Sequence, residues 1–166
     1  MVRRTLMVAA VIAGMVPMAL AQLSNTDKSF LNKTARANNY EIQAAKLAQS
    51  MSTNDAYKTY AQMMIDDHTQ AAQQLEAAVS QADPSFQLPT SVSPAQQTEL
   101  DTLKNAKNYF DVKYRQQMIQ SHATLHSFFQ DYLQGANNNS AIKAVISNLQ
   151  PVVQKHWDAA KKLPKQ

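Results

Sequence analysis

The chain has 166 residues, no cysteine, two glycines and a formal charge of +4. Without cysteine there is no disulfide, iron–sulfur cluster, covalent c-type haem, thiol nucleophile or acylated N-terminal anchor. Two glycines are too few for a Rossmann or P-loop phosphate cradle or for the tight turns of an all-β protein, and the length suits one domain with its own core.

Residues 1–21 have the three parts of a secretory signal. Arg3 and Arg4 are the positive start, Leu6 to Val16 is an apolar run of eleven residues, and Ala19-Leu20-Ala21 is an A-x-A cleavage site. Eleven apolar residues fall short of the roughly 20 that a spanning helix needs, so no transmembrane span is expected in the mature chain. Residues 22–166 are then the folded domain, periplasmic or secreted. That segment has 145 residues, a single glycine (Gly135) and a charge of only +2, with nineteen Gln and eleven Asn. Such a balance gives no argument for nucleic acid, which needs a concentrated basic face.

With one glycine and much Ala, Gln, Leu and Lys, the domain reads as all-α. The first helix is predicted from about Asp27 to Ser50, capped by Asn25 or Thr26, with Phe30, Leu31, Thr34, Ala37, Ala44, Ala45 and Ala48 as its stripe. After a short link, the second runs from about Asp55 to Gln81 through Tyr57, Tyr60, Met64, Ala71, Leu75 and Val79. A loop broken by Pro84, Pro89 and Pro94 follows. Ser93-Pro94-Ala95-Gln96 then reads as a capping box opening a short helix to about Asn105. The third main helix spans Lys107 to Gln134 through Phe110, Tyr114, Met118, Leu125, Phe128 and Tyr132, and Gly135 with Asn137 to Asn139 suits a left-handed C-cap. The fourth spans Ser140 to about Leu163 through Ile142, Val145, Ile146, Leu149, Val153 and Ala160, with Pro151 expected to kink it. These segments describe an up-down-up-down four-helix bundle with a short extra helix between the second and third.

Chemistry is expected where ionisable groups face the core, because a buried charge is costly without a partner or a metal. Glu41, His68, His122 and His156 each fall on or beside the stripe of a different helix, while His126 points further out. Each of the four lies about thirteen to fifteen residues into its helix, so all four reach mid-height together. Three imidazoles and a carboxylate suit Zn, Mn, Fe or Cu rather than Ca or Mg. Asp67 or Asp66 is a candidate further carboxylate or a partner fixing His68, and Tyr40 and Tyr114 are candidate hydrogen-bond donors to the ligands. The competing reading is a structural hydrogen-bond cluster without metal.

The runs Phe30-Leu31 to Tyr40-Glu41, Met63-Met64-Ile65-Asp66-Asp67-His68-Thr69, Tyr109 to Tyr114 and Leu149-Gln150-Pro151-Val152-Val153-Gln154-Lys155-His156 resemble a ferritin-like domain-of-unknown-function family. Its members are exported bacterial proteins often labelled outer-membrane proteins. The resemblance implies a ferritin-like bundle in the periplasm and supplies no activity. The residues three before His68, His122 and His156 are Ile65, Ile119 and Val153, so the Glu-x-x-His of di-iron proteins is missing and a single-metal or metal-free site is expected. No alternating ten-residue strands indicate a barrel.

Three functions are consistent with these residues. The first is a small exported protein holding one transition metal. The second is a metal-free envelope stress or interaction protein that binds an envelope protein partner. The third is a metal-dependent redox or hydrolytic enzyme, which needs an open coordination position and a substrate pocket. No Gly-x-Ser-x-Gly elbow supports serine hydrolysis.

Overall fold

A computed structural model describes residues 22–165, and all regular structure among them is helical. The expected signal peptide lies outside the described residues. The elements are α1 (Asn25–Met51), α2 (Asp55–Ala82), α3 (Pro94–Lys104), a 3-10 turn (Lys107–Tyr109), α4 (Phe110–Gln134) and α5 (Ser140–Lys162). No helix among the described residues is long and apolar enough to cross a membrane.

Capping residues set most of these boundaries. The Ser93 hydroxyl accepts the Gln96 amide and the Gln96 side chain accepts the Ser93 amide at 2.9 Å, closing the expected box at α3. Helix α1 begins earlier than its stripe suggests. Ser24, rather than Asn25 or Thr26, is its cap, because Asp27 three residues on returns the hydrogen bond. Asn54 and Asn139 cap α2 and α5 with their side-chain oxygens. Lys107 takes a positive φ of 48°, which separates α3 from α4 and starts α4 at Phe110 instead of Lys107.

One expectation about helix ends needs revision. Gly135 is not left-handed; its φ is −62°. Its lack of a side chain serves close packing, since a Cβ there would collide with Asn138 Nδ2, which donates to the Tyr132 carbonyl at 2.7 Å. Pro151 stays inside α5, which continues through it. The carbonyl that Pro151 cannot reach belongs to Ser147, an exposed residue on the solvent side of the helix.

The helices do not alternate up-down-up-down. α1 and α2 are antiparallel, joined by residues 52–54, and Lys28 near the start of α1 pairs with Asp83 at the end of α2 at 2.9 Å. Tyr132 near the end of α4 donates to Asp27 at the start of α1, so α4 also runs against α1. Tyr57 at the start of α2 donates to the Pro164 carbonyl beyond the end of α5 at 2.8 Å, so α5 runs against α2. The order is therefore up-down-down-up, with α1 and α5 on one diagonal and α2 and α4 on the other. Two successive parallel helices demand a chain that travels the bundle's full length. The proline-bearing segment 83–93 carries the chain from the Lys28 end of α1 to the level of Arg36 and Asn39, and α3 continues it against α1 and α4.

The core is divided in two. One apolar cluster gathers Ala44, Tyr60, Met64, Phe110, Met118 and Ala160; the other gathers Leu31, Leu75, Leu125, Phe129, Ile146 and Val153. Between Leu31 and Ala44, Met64 and Leu75, Met118 and Leu125, and Val153 and Ala160 lie Glu41, His68, His122 and His156 respectively. The helices thus carry one polar layer across the middle of an apolar bundle.

Candidate metal centre

All four residues of that layer are buried: Glu41, His122 and His156 are fully inaccessible and His68 is 4% exposed. The ring centroids of His68, His122 and His156 are 5.0 to 5.8 Å apart, and one ligand nitrogen of each lies within 4.8 Å of those of the other two. Glu41 is outside that group.

Each imidazole has one nitrogen already engaged. His68 donates from Nδ1 to Asn38 Oδ1 at 2.9 Å, and His122 donates from Nδ1 to the Met118 carbonyl, one turn back on α4, at 2.8 Å. His156 donates from Nε2 to Asp67 Oδ2 at 2.8 Å. The opposite nitrogens, His68 Nε2, His122 Nε2 and His156 Nδ1, are buried with no protein partner. An amide oxygen, a carbonyl and a carboxylate all accept, so each bound nitrogen carries a proton, and on His68 and His156, which burial keeps neutral, the remaining nitrogen has its lone pair free. Burial, reinforced by the neighbouring His122 and His156, holds His68 well below the ordinary imidazole value. Burial likewise brings His156 down to about 4, against the opposing pull of Asp67. Both rings are neutral at pH 7, the state in which imidazole is a ligand.

Glu41 lies on the protonated side of two rings. Its Oε2 is 3.4 Å from His68 Nδ1 and its Oε1 is 3.6 Å from His122 Nδ1, while Ser121 Oγ donates to Oε1 at 2.7 Å. Burial pushes its carboxyl above the usual range, partly offset by His122 and Ser121. Asp67 serves His156 instead of His68, and also takes Lys155 Nζ at 2.9 Å. Burial raises the Asp67 carboxyl, but these two donors outweigh that and leave it below the usual value. Asp66 is engaged by Gln62 on the surface of α2. Tyr40 donates to Gln117 at 2.8 Å, not to a layer residue, and the buried Tyr114 ring packs among Tyr57, Tyr60 and Phe110 while its hydroxyl has no hydrogen-bond partner. His126 lies outside the layer, 5.8 Å from the Trp157 ring.

Sequence reasoning missed Asn38 and Ser121. Asn38 is one turn before Glu41 on the inward face of α1, a spacing that marks it as a layer residue. Ser121 precedes His122 and carried no comparable signal. The Met118 carbonyl is backbone, invisible in side-chain patterning, although the i, i+4 spacing to His122 allows the bond.

Fold and site define an all-α bundle with three buried, oriented imidazoles at its centre. The chain belongs to the family described as Domain of unknown function (DUF4142), whose model matches residues 14–163. Comparison with curated proteins and with solved structures gives no match.

Proposed function

We propose that this protein is an exported helical bundle that holds one divalent transition-metal ion through His68, His122 and His156. The observation that carries the reading is the set of three partnerless buried nitrogens on three helices, each on a ring whose other nitrogen is fixed by a separate acceptor. Ligand histidines in metal sites are oriented by that same outer bond. A tetrahedral ion bound at 2.0–2.1 Å needs nitrogens about 3.4 Å apart, and the three rings already bring one nitrogen each within 4.8 Å of one another.

Charge supports the same reading. Two neutral imidazoles, His68 and His156, border the site, and the carboxylates of Glu41 and Asp67 stand behind the rings. A divalent cation would compensate a Glu41 carboxylate that is otherwise costly to bury. Glu41 then acts as an outer partner of His68 and His122 rather than a fourth ligand. Imidazole ligands favour Zn, Fe or Cu, and three of them leave a position open to water or another molecule. The single long crossover supports a ferritin-like reading of the bundle, while Ile65, Ile119 and Val153 keep it apart from di-iron chemistry.

Titration of the metal-free protein with Co²⁺ tests this. Visible d–d bands of a low-coordinate site that saturate at one equivalent, and that Zn²⁺ abolishes, are expected. A folded protein without such bands would reduce the layer to a structural cluster and favour an envelope protein partner as its function.

A further inference from the structure

A cavity of about 250 Å³ opens next to the triad, between α1 and α2 and under the crossover segment. Its roof is Phe86, Leu88 and Pro89, held down by Asn39 Nδ2 donating to the Pro89 carbonyl at 2.9 Å and by Arg36 donating to the Val92 carbonyl at 3.1 Å. Exposed Glu76, Ser80, Gln87 and Thr90 line its rim. One stretch of wall is apolar, built from Leu75, Val79, Leu125, Phe129 and Leu149.

The other end is not. Thr34, Asn38 and His68 line it, all at least nine-tenths buried, and Thr34 Oγ1, Asn38 Nδ2 and His68 Nε2 have no protein partner. A buried amide N–H and hydroxyl without acceptors are costly unless something in the cavity provides one. No lysine or arginine lines the cavity among the described residues, whereas Asp67 and Glu76 do, so the walls disfavour an anion. By proportion to a 150 Å³ cavity that accommodates benzene, this volume suits about ten heavy atoms.

We infer that the cavity binds a small neutral amphipathic molecule of about ten heavy atoms, with one hydroxyl or carbonyl oxygen at the Thr34–Asn38 end and an apolar body against Leu75 and Val79. The oxygen accepts from Asn38 Nδ2 and exchanges a hydrogen bond with Thr34, next to His68. This inference does not require an ion, and its test is made on the metal-free protein. Its failure therefore leaves the metal reading standing, and the reverse holds for the Co²⁺ titration.

The probe is 4-propylphenol, followed by calorimetry and by protein-observed NMR, with propylbenzene and 3-phenylpropanoate as comparisons. Saturable 1:1 binding of the phenol is expected, about tenfold tighter than either comparison, since a paired buried hydrogen bond is worth roughly one factor of ten. Thr34→Val should remove most of that preference, and Ala71→Leu should fill the space and weaken all three. Because either variant could disturb packing, contacts in the wild type provide the second measurement: NOEs from the propyl group to Leu75 and Val79 methyls. Absence of saturable binding, equal affinity for phenol and hydrocarbon, or NOEs to another part of the bundle would overturn the inference.

Discussion

His156 gives its Nε2 proton to Asp67 at 2.8 Å, joining an imidazole with no solvent exposure to a carboxylate that reaches the surface of the neighbouring helix. The bond fixes the tautomer of His156 and leaves Nδ1 as its only available lone pair. Asp67→Asn keeps a group of similar size but replaces the charge. Metal affinity should fall about 10- to 100-fold, the usual effect of losing an outer-shell carboxylate. Competition with a chromophoric chelator measures it, and unchanged affinity would mean that His156 needs no such support.

Among the described residues Glu41 is the one carboxylate with no exposure at all, and its Oε2 has no hydrogen-bond partner. Glu41→Gln removes a buried ionisable group while keeping the shape, so two measurements should move in opposite directions. Metal affinity should drop because the negative charge behind His68 and His122 is gone. The metal-free protein should become more stable at neutral pH, since the Glu41 carboxyl is raised by burial and must otherwise ionise unfavourably. Thermal melts with and without metal give both signs. A metal-free variant that melts earlier would show that the charge is already compensated by its neighbours.

Acid should loosen the metal-free protein well before its surface carboxylates titrate. His156 has a folded value of about 4 against an ordinary 6.5, and His68 is displaced in the same direction. Below pH 6.5 the unfolded chain binds protons that these folded rings refuse, so stability falls as pH drops toward 4. His156 alone sets a limit of about 3 kcal/mol on its share. Asp27 and Asp67, whose folded carboxyls lie below their ordinary 3.8, extend the loss to lower pH. Glu41, raised by burial, works in the opposite direction, so the cleaner profile is that of metal-free Glu41→Gln, whose melting temperature should decline steadily from neutral pH to about 4. A flat profile over that range would contradict the buried, neutral assignment of the two rings.

Far from the layer, Asp27 ties three elements together. It caps α1 through Ser24 and accepts from the Tyr132 hydroxyl and from the Asn139 amide at 3.0 Å. Burial raises its carboxyl, but these donors outweigh that and hold it below the usual range. Asp27→Ala leaves several buried donors in need of water and should cost about 2–4 kcal/mol. Urea denaturation measures the loss, and metal affinity of the folded variant should not change.

Much of this arrangement was legible in the sequence because helical periodicity fixes both the face and the depth of a residue. Glu41, His68, His122 and His156 were assigned to one level even though the direction of α4 and α5 was wrong. Reversing a helix about its midpoint moves its ends by its full length but leaves its middle where it was, so a mid-height layer survives that error. The partners were harder to read. Asp67 follows the surface of α2 about 100° from His68 and therefore faces α5, not its sequence neighbour's ring. Which helices adjoin is a tertiary fact, and it decided that Asn38 serves His68 while Asp67 serves His156. The role of Gly135 was misread for a similar reason: the close approach of Asn138 is set by the turn as a whole.

The central claim rests on three imidazoles acting together, and metal content tests it most directly. The protein would be purified without an affinity tag or chelator and measured by native mass spectrometry with elemental analysis, beside a His68→Ala/His156→Ala variant. About one transition-metal ion per chain in the wild type, absent from a variant that retains its helical circular dichroism, is the result expected of a three-histidine site. No bound metal after reconstitution of the folded wild type, or equal metal in both proteins, would contradict it.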